Sequence, residues 1–295
     1  MLAIVCPGQG SQTPGFLSPW LEVPAFRERF TALADAAGTD LLAHGTTSDA
    51  ETIKDTAVAQ PLIVAAGVAA AAALLTDGLP AGSVTAGHSV GEVTAAAVAD
   101  VLTAGDAMAF VRQRSVGMAE ASAATPTGMT AVLGGDPDEV AAALERHGLT
   151  AANANGAGQV VAAGTLEQLA ALAAEPPARA RVIPLKVAGA FHTTHMAPAI
   201  PALQALAQQM TASDPTVTVL SNADGAPVAS GAELLARLVS QVGNPVRWDL
   251  CMQAMADLGV TGLIELPPAG TLVGLAKRGL PGVQTLALKT PDDLE

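Results

Sequence analysis

The chain has no tyrosine, and its five phenylalanines and two tryptophans are spread over 295 residues, so aromatic stacking cannot dominate its interior. With 50% hydrophobic residues and 2% aromatics, the core must be packed from Ala, Val and Leu, which suits close contact of helices with a sheet. Only two cysteines occur, Cys6 in a strand-like run and Cys251 in a helix-like one. They fit reduced core thiols better than a disulfide, and no metal-ligand spacing is present, so neither a metal nor a permanently bound cofactor is expected. Basic residues are also scarce: 14 Lys and Arg against 27 Asp and Glu give a net charge of −13. That balance excludes sequence-independent nucleic-acid binding, which needs Lys and Arg against phosphates. An acidic substrate would have to meet a local concentration of basic groups.

Long apolar runs are equally limited. Met1 to Pro7 lacks the basic region and extended apolar stretch of a signal peptide and reads as a first strand. Pro61 to Leu75 is the most apolar stretch, shorter than the roughly 20 residues of a membrane span. It ends at Thr76-Asp77-Gly78 and reads as a buried helix. The expectation is a cytoplasmic monomer with no membrane span. No internal repeat or low-complexity tract appears beyond a general enrichment in alanine.

What is present is an alternation of strand-like and helix-like segments in a chain long enough for one large α/β domain with an insertion. Leu2 to Cys6 reads as strand, Pro7 to Gly15 as a Gly-rich loop, and helices follow to about Gly78. Ser83 to Ala86 is the next strand, and a helical pair reaches Ala124. A turn-rich break at Thr125-Pro126-Thr127-Gly128 then opens a different rhythm. Strands at Met129 to Leu133, Leu149 to Ala152, Gln159 to Ala163 and Arg181 to Val187, with helices at Asp136 to His147 and Thr165 to Ala174, give βαββαβ, the ferredoxin-like order. Beyond it come a helix from Met196 to Met210, a strand from Thr216 to Leu220, helices near Ala232 to Gln241 and Trp248 to Leu258, a strand at Gly262 to Leu266 and a short helix after Pro268-Ala269-Gly270. The expected fold class is α/β: an α/β-hydrolase-like large domain with a parallel sheet, formed by residues 1–124 and 189–295, plus an inserted ferredoxin-like small domain, 125–188. A ligand is expected in the crevice between them.

Ala86-Gly87-His88-Ser89-Val90-Gly91-Glu92 carries a G-x-S-x-G nucleophile-elbow pattern between a strand and a helix. Small residues flanking the serine let the backbone turn sharply and present Oγ at a helix N-terminus, where free N–H groups and a partial positive charge favour an oxyanion. The geometry suits acyl transfer. The same pattern also fits an ordinary turn with a serine cap, so the surrounding residues must decide.

Of five histidines, His44, His88 and His147 have local explanations. His192 and His195, in Gly189-Ala190-Phe191-His192-Thr193-Thr194-His195-Met196, lie at the seam between the two expected domains. Either is a candidate base for Ser89, and spacing alone does not separate them. The loop Pro7-Gly8-Gln9-Gly10-Ser11-Gln12 opens at the same sheet edge as the elbow. It lacks the lysine of a phosphate loop, and serves either as a plain turn or as one oxyanion donor beside the Val90 N–H. From Val90 one helix climbs about ten residues, roughly 15 Å, and the next descends about as far, which returns Arg114 to the level of Ser89. A guanidinium there could grip a carboxylate; Arg112 is a competitor, on a different helix face.

These residues resemble those of the malonyl-CoA:acyl carrier protein transacylases, the acyltransferase family of fatty-acid and polyketide synthesis. The markers are Pro7-Gly8-Gln9-Gly10-Ser11-Gln12, Gly87-His88-Ser89-Val90-Gly91-Glu92, Arg114, Asn155 with Gly158-Gln159-Val160-Val161, Gly189-Ala190-Phe191-His192, and Gln241 with Asn244-Pro245-Val246. The resemblance implies that Ser89 is acylated, that His192 is its general base, and that the backbone carbonyl of Gln241 orients the imidazole. It implies an oxyanion hole from the Gln9 and Val90 amides, a carboxylate clamp in Arg114, and substrate contacts from Asn155 and Phe191. Phe191 resembles the variant that disfavours a methyl group at the α carbon. Departures are small: Val90 stands where leucine is common, and Cys6 where phenylalanine is. The implied donor is malonyl-CoA and the implied partner an acyl carrier protein, with Lys186, Arg247, Lys277 and Arg278 as candidate basic contacts. Alternatives with the same elbow are a serine thioesterase or esterase, a polyketide-synthase acyltransferase acting in trans, and a silent carrier-binding subunit.

Overall fold

Alternating short apolar runs and helical periods produce a mixed α/β structure, seen in a computed structural model that describes residues 1–76 and 78–294. Asp77, in the turn expected to end the alanine-rich helix, and Glu295, at the end of the last expected segment, lie outside the described residues.

The chain begins with β1 (Leu2–Cys6), α1 (Pro24–Ala37), α2 (Leu41–Thr46), α3 (Thr56–Leu74), β2 (Val84–Gly87), α4 (Gly91–Val98) and α5 (Ala104–Ala124). It continues through β3 (Thr127–Gly134), α6 (Pro137–Arg146), β4 (Thr150–Gly156), β5 (Gln159–Thr165), α7 (Leu166–Ala174) and β6 (Ala180–Pro184). The last part holds α8 (Ile200–Ala207), β7 (Thr218–Leu220), β8 (Pro227–Val228), α9 (Gly231–Ser240), β9 (Val246–Arg247), α10 (Trp248–Asp257), β10 (Gly262–Glu265), α11 (Thr271–Gly279) and β11 (Gln284–Ala287).

The first sheet has the order β11-β10-β1-β2-β7-β8, parallel from β11 to β7 with β8 antiparallel at one edge. Its middle strand β1 is buried from Ala3 to Cys6, which explains a continuous apolar run without alternation: helices cover both faces. Parallel strands bring their carboxyl ends to one edge. The Gly-rich loop after Cys6, the elbow after Ala86 and the Ser221-Asn222 turn after β7 therefore meet there. Helix α3 is long and apolar enough to cross a membrane, yet it is mostly buried and packs against α1, α4 and α5 as a core helix. Cys6 and Cys251 are free, buried thiols.

The second sheet runs β6-β3-β5-β4-β9, antiparallel except for β9, which lies parallel to β4. The expected self-contained segment thus receives a fifth strand from later in the chain, at Val246–Arg247 beside Asn153 and Ala154. Two residues are too few to carry a readable period. The helix expected from Met196 to Met210 is instead a 3-10 turn, Thr194–Ala199, followed by the shorter α8. Pro198 and Pro201 account for the break: neither can donate an N–H, and Pro201 sits in the first turn of α8, where that loss is tolerated.

Candidate active site

Ser89 sits in the left-handed region at φ 55°, a conformation costing on the order of 1–3 kcal/mol for a residue with a side chain. The turn closes only because its neighbours are glycines. A Cβ on Gly87 would lie 1.9 Å from the Gly91 carbonyl carbon, and one on Gly91 would lie 2.1 Å from the Cys6 carbonyl oxygen. Asn222 holds the strained turn from below: its Oδ1 accepts the Ser89 N–H at 2.8 Å and its Nδ2 donates to the Gly87 carbonyl at 2.7 Å.

His192 faces the serine. Its Nε2 is 2.7 Å from Ser89 Oγ, and its Nδ1 is 2.9 Å from the backbone carbonyl of Gln241. A carbonyl can only accept, so Nδ1 carries the proton and Nε2 turns its lone pair to the hydroxyl. His192 also adopts a positive φ, 60°, in a loop pinned by Thr127 Oγ1 accepting the Ala190 N–H at 3.0 Å and by Thr193 Oγ1 donating to the Ala190 carbonyl at 2.7 Å. Burial, reinforced by the nearby Arg114 charge, pushes the His192 pKa down to about 3 and keeps the ring neutral. Of the two histidines that spacing leaves open, His192 is the one whose ring meets Ser89; His195 lies on the following 3-10 turn and, among the described residues, makes no hydrogen bond to Ser89.

Arg114, 1% exposed, stands behind the serine. Its Nη2 donates to Gln241 Oε1 at 2.8 Å and approaches Ser89 Oγ at 3.4 Å, while Nη1 donates to Gln60 Oε1 at 2.6 Å. Among the described residues no carboxylate forms an ion pair with it. Burial lowers its pKa to about 10, against the opposing pull of Glu92, so the guanidinium stays charged. A buried cation held by two amide oxygens and a long contact to a hydroxyl is a receptive partner for an anion. Arg112 is exposed and packs its guanidinium over Gly38, at the end of α1.

A cavity of about 460 Å³ opens onto Ser89 and His192, walled by Gln9, Phe191 and Asn155 among others. The Gly-rich loop can lie on the elbow because Gly8 has no side chain; a Cβ there would be 2.7 Å from the His88 carbonyl oxygen. The Gln9 side chain reaches the Lys54 carbonyl and Thr56 Oγ1 at 3.2 and 3.3 Å, which fixes the loop. Val90 caps α4 without a side-chain acceptor. Asn155 Oδ1 is 2.9 Å from His88 Nε2, so the second sheet is tied to the elbow across the cavity. Among the described residues, no group of three or more His, Cys, Asp or Glu is disposed to hold a metal ion.

The acyl transferase domain family matches residues 3–289. The chain belongs to that family. A malonyl CoA-acyl carrier protein transacylase of Mycobacterium bovis is 52% identical over 297 residues, covering 100% of this chain and 98% of the relative. The crystal structure of MCAT from Mycobacterium tuberculosis superposes with a TM-score of 0.96 at 52% identity, covering 100% of this chain and 98% of that one. A malonyl-transacylase solved in complex with its type II PKS acyl-carrier protein has a TM-score of 0.91 at 30% identity, covering 99% of this chain and 97% of that one.

Within this acyltransferase, four polar groups behind the elbow have no side-chain role assigned from the sequence. They are the buried side chains of Gln60, Glu92, Asn222 and Gln241. Gln60 had a legible signal, a lone amide in an apolar helix, and Glu92 had one in its place on the first turn of α4. For Gln241 the resemblance implies a role of the backbone carbonyl alone, yet its side chain bridges Ser89, Glu92 and Arg114. Of the candidate surface cations, Lys186 lines the cavity mouth. Arg278 reaches Gln159 at 3.3 Å. Arg247 is held in a two-pronged pair with Asp249 at 2.9 and 2.7 Å, and Lys277 is simply exposed.

Proposed function

We propose that this acyltransferase moves the malonyl group from malonyl-CoA to the phosphopantetheine thiol of an acyl carrier protein through a malonyl ester on Ser89. The observation that carries this reading is the position of one oxygen: Ser89 Oγ lies 2.7 Å from a neutral imidazole nitrogen and 3.4 Å from a buried guanidinium without an ion-pair partner among the described residues. An esterase needs only the first of these.

His192 Nε2 takes the Oγ proton as Ser89 attacks the thioester carbonyl. The Gln9 and Val90 N–H groups face the oxyanion, and the Gln241 carbonyl stabilises the imidazolium that forms. The C–S bond breaks, and His192 returns its proton to the CoA thiolate. In the second half, His192 takes the proton of the carrier thiol, sulfur attacks the ester carbonyl, and Ser89 leaves with that proton. Arg114 binds the free carboxylate of the malonyl group, Asn155 and Phe191 shape the acyl site, and Phe191 disfavours a methyl on the α carbon.

The structural frame of this reading is an α/β-hydrolase-like large domain, residues 1–124 and 189–295, carrying a ferredoxin-like small domain, 125–188. The order β6-β3-β5-β4 and the site's place between the two sheets support it. A cytoplasmic monomer using no resident cofactor completes the proposal. A polyketide carrier is the second reading of the acceptor, favoured by the relative solved with a type II PKS carrier. Parallel assays with malonyl-, methylmalonyl- and acetyl-CoA, with and without fatty-acid or polyketide carrier protein, test it. Carrier-dependent malonyl transfer is expected; prompt release of free acid without carrier would favour a hydrolase.

A further inference from the structure

Glu92 lies in the first turn of α4, 2% exposed, facing inward beneath the elbow. One carboxylate oxygen accepts the Asn222 backbone N–H at 2.6 Å, and the other accepts from the carboxamide Nε2 of Gln241. That same Nε2 donates to the Ser89 carbonyl at 2.9 Å. Acceptors therefore surround the nitrogen end of the Gln241 amide, and its oxygen end is left to receive Arg114 Nη2 at 2.8 Å. With the amide reversed, an NH2 group would meet the guanidinium donor to donor, and an oxygen would meet the carboxylate.

We infer that Glu92 is a positioning residue for acyl selectivity: by fixing which way the Gln241 carboxamide points, it holds the Arg114 guanidinium where the carboxylate of a dicarboxylic acyl group meets it. The inference rests on the reading of Arg114 as the partner of that carboxylate. The Glu92 carboxylate neither bonds Ser89 Oγ nor lines the cavity; its residue meets Ser89 only through the backbone, Glu92 N–H donating to the Ser89 carbonyl at 3.0 Å. Its charge also repels an incoming carboxylate, an effect of opposite sign. The Gln241 amide stands between Glu92 and Arg114, and both carboxylate oxygens are already engaged as acceptors, which makes orientation the larger effect.

Glu92→Gln tests this, because it keeps shape while placing an NH2 group against Asn222 or Gln241. Glu92→Asp keeps both acceptors at shorter reach and carries the test if the first variant folds poorly. Three readouts are compared with wild type: KM for malonyl-CoA, acetyl-serine formation from acetyl-CoA, and Ser89 labelling by the neutral reagent phenylmethanesulfonyl fluoride. Glu92→Gln is expected to raise the malonyl-CoA KM roughly tenfold, about one charge-assisted hydrogen bond, with labelling and acetyl uptake within about threefold. Glu92→Asp is expected between the two. An unchanged KM, a lowered KM, or equal loss with all three reagents would overturn the inference. Arg114→Ala run alongside separates the failures: if it leaves malonyl preference intact, the reading of Arg114 falls; if only the Glu92 variants leave it intact, this inference falls alone.

Discussion

Ser89 Oγ and His192 Nε2 are 2.7 Å apart although 103 positions separate them, and both residues hold left-handed backbone conformations, at φ 55° and 60°. Two strained residues pointing at one another imply a surrounding structure that over-determines both. Here that structure is Asn222 beneath the serine, the Gln241 carbonyl behind the imidazole, and glycines where the chain crosses itself.

Removing the guanidinium by Arg114→Ala is expected to lower kcat/KM for malonyl-CoA on the order of 10²-fold, the size of a lost buried charge pair of about 2–4 kcal/mol. Uptake of acetyl groups should fall far less. Parallel steady-state assays with the two donors measure the ratio, and an unchanged acyl preference would contradict the role given to Arg114.

Gly91→Ala places a methyl where the Cys6 carbonyl oxygen would be 2.1 Å away, a backbone atom that cannot turn aside. The elbow must shift, so acylation of Ser89 should become undetectable even in protein that still folds. Circular dichroism with a labelling assay distinguishes this from global unfolding. Full labelling would mean that the turn has more room than its geometry allows.

Asn222→Ala leaves the Ser89 N–H and the Gly87 carbonyl buried without partners, each costing about 1–3 kcal/mol. A stability loss of roughly 2–4 kcal/mol by denaturant titration is expected, with slower serine labelling. A loss under about 0.5 kcal/mol, typical of surface positions, would show that the elbow does not depend on this brace.

The pH dependence of stability follows from burial. The His192 pKa is depressed to about 3 from an ordinary 6.5, so below pH 6.5 the unfolded chain binds a proton that the folded one refuses. Its contribution is fully present above pH 6.5 and declines as pH falls, at up to about 1.4 kcal/mol per pH unit. Glu92 has the opposite sign: its pKa is raised from 4.5 to about 7, so it costs stability as pH rises between those values. The two partly cancel in the wild type. In His192→Gln the first is removed, and stability between pH 5 and 6.5 should rise relative to wild type as pH falls. Parallel wild-type and variant curves would contradict the burial of a neutral ring.

The sequence carried the signals that arise from local physics. The elbow is legible because only small residues close such a turn, and the descent of α5 placed Arg114 because helix rise is fixed. Two histidines remained because their separation rests on how a loop folds back, and only the family resemblance selected His192. Gln60, Glu92 and Asn222 are met together only after three strand ends reach one sheet edge. Asn222, in a turn after a short strand, looks in the chain like any surface polar residue. The strands β8 and β9, two residues each, are too short for a period of two to register.

Mass spectrometry of the Ser89 peptide after mixing with malonyl-CoA tests the central claim most directly. A malonyl adduct on Ser89 that disappears on addition of carrier protein, and never forms in Ser89→Ala, is the predicted result. An unmodified Ser89 peptide in protein that nonetheless transfers malonyl groups would contradict the account.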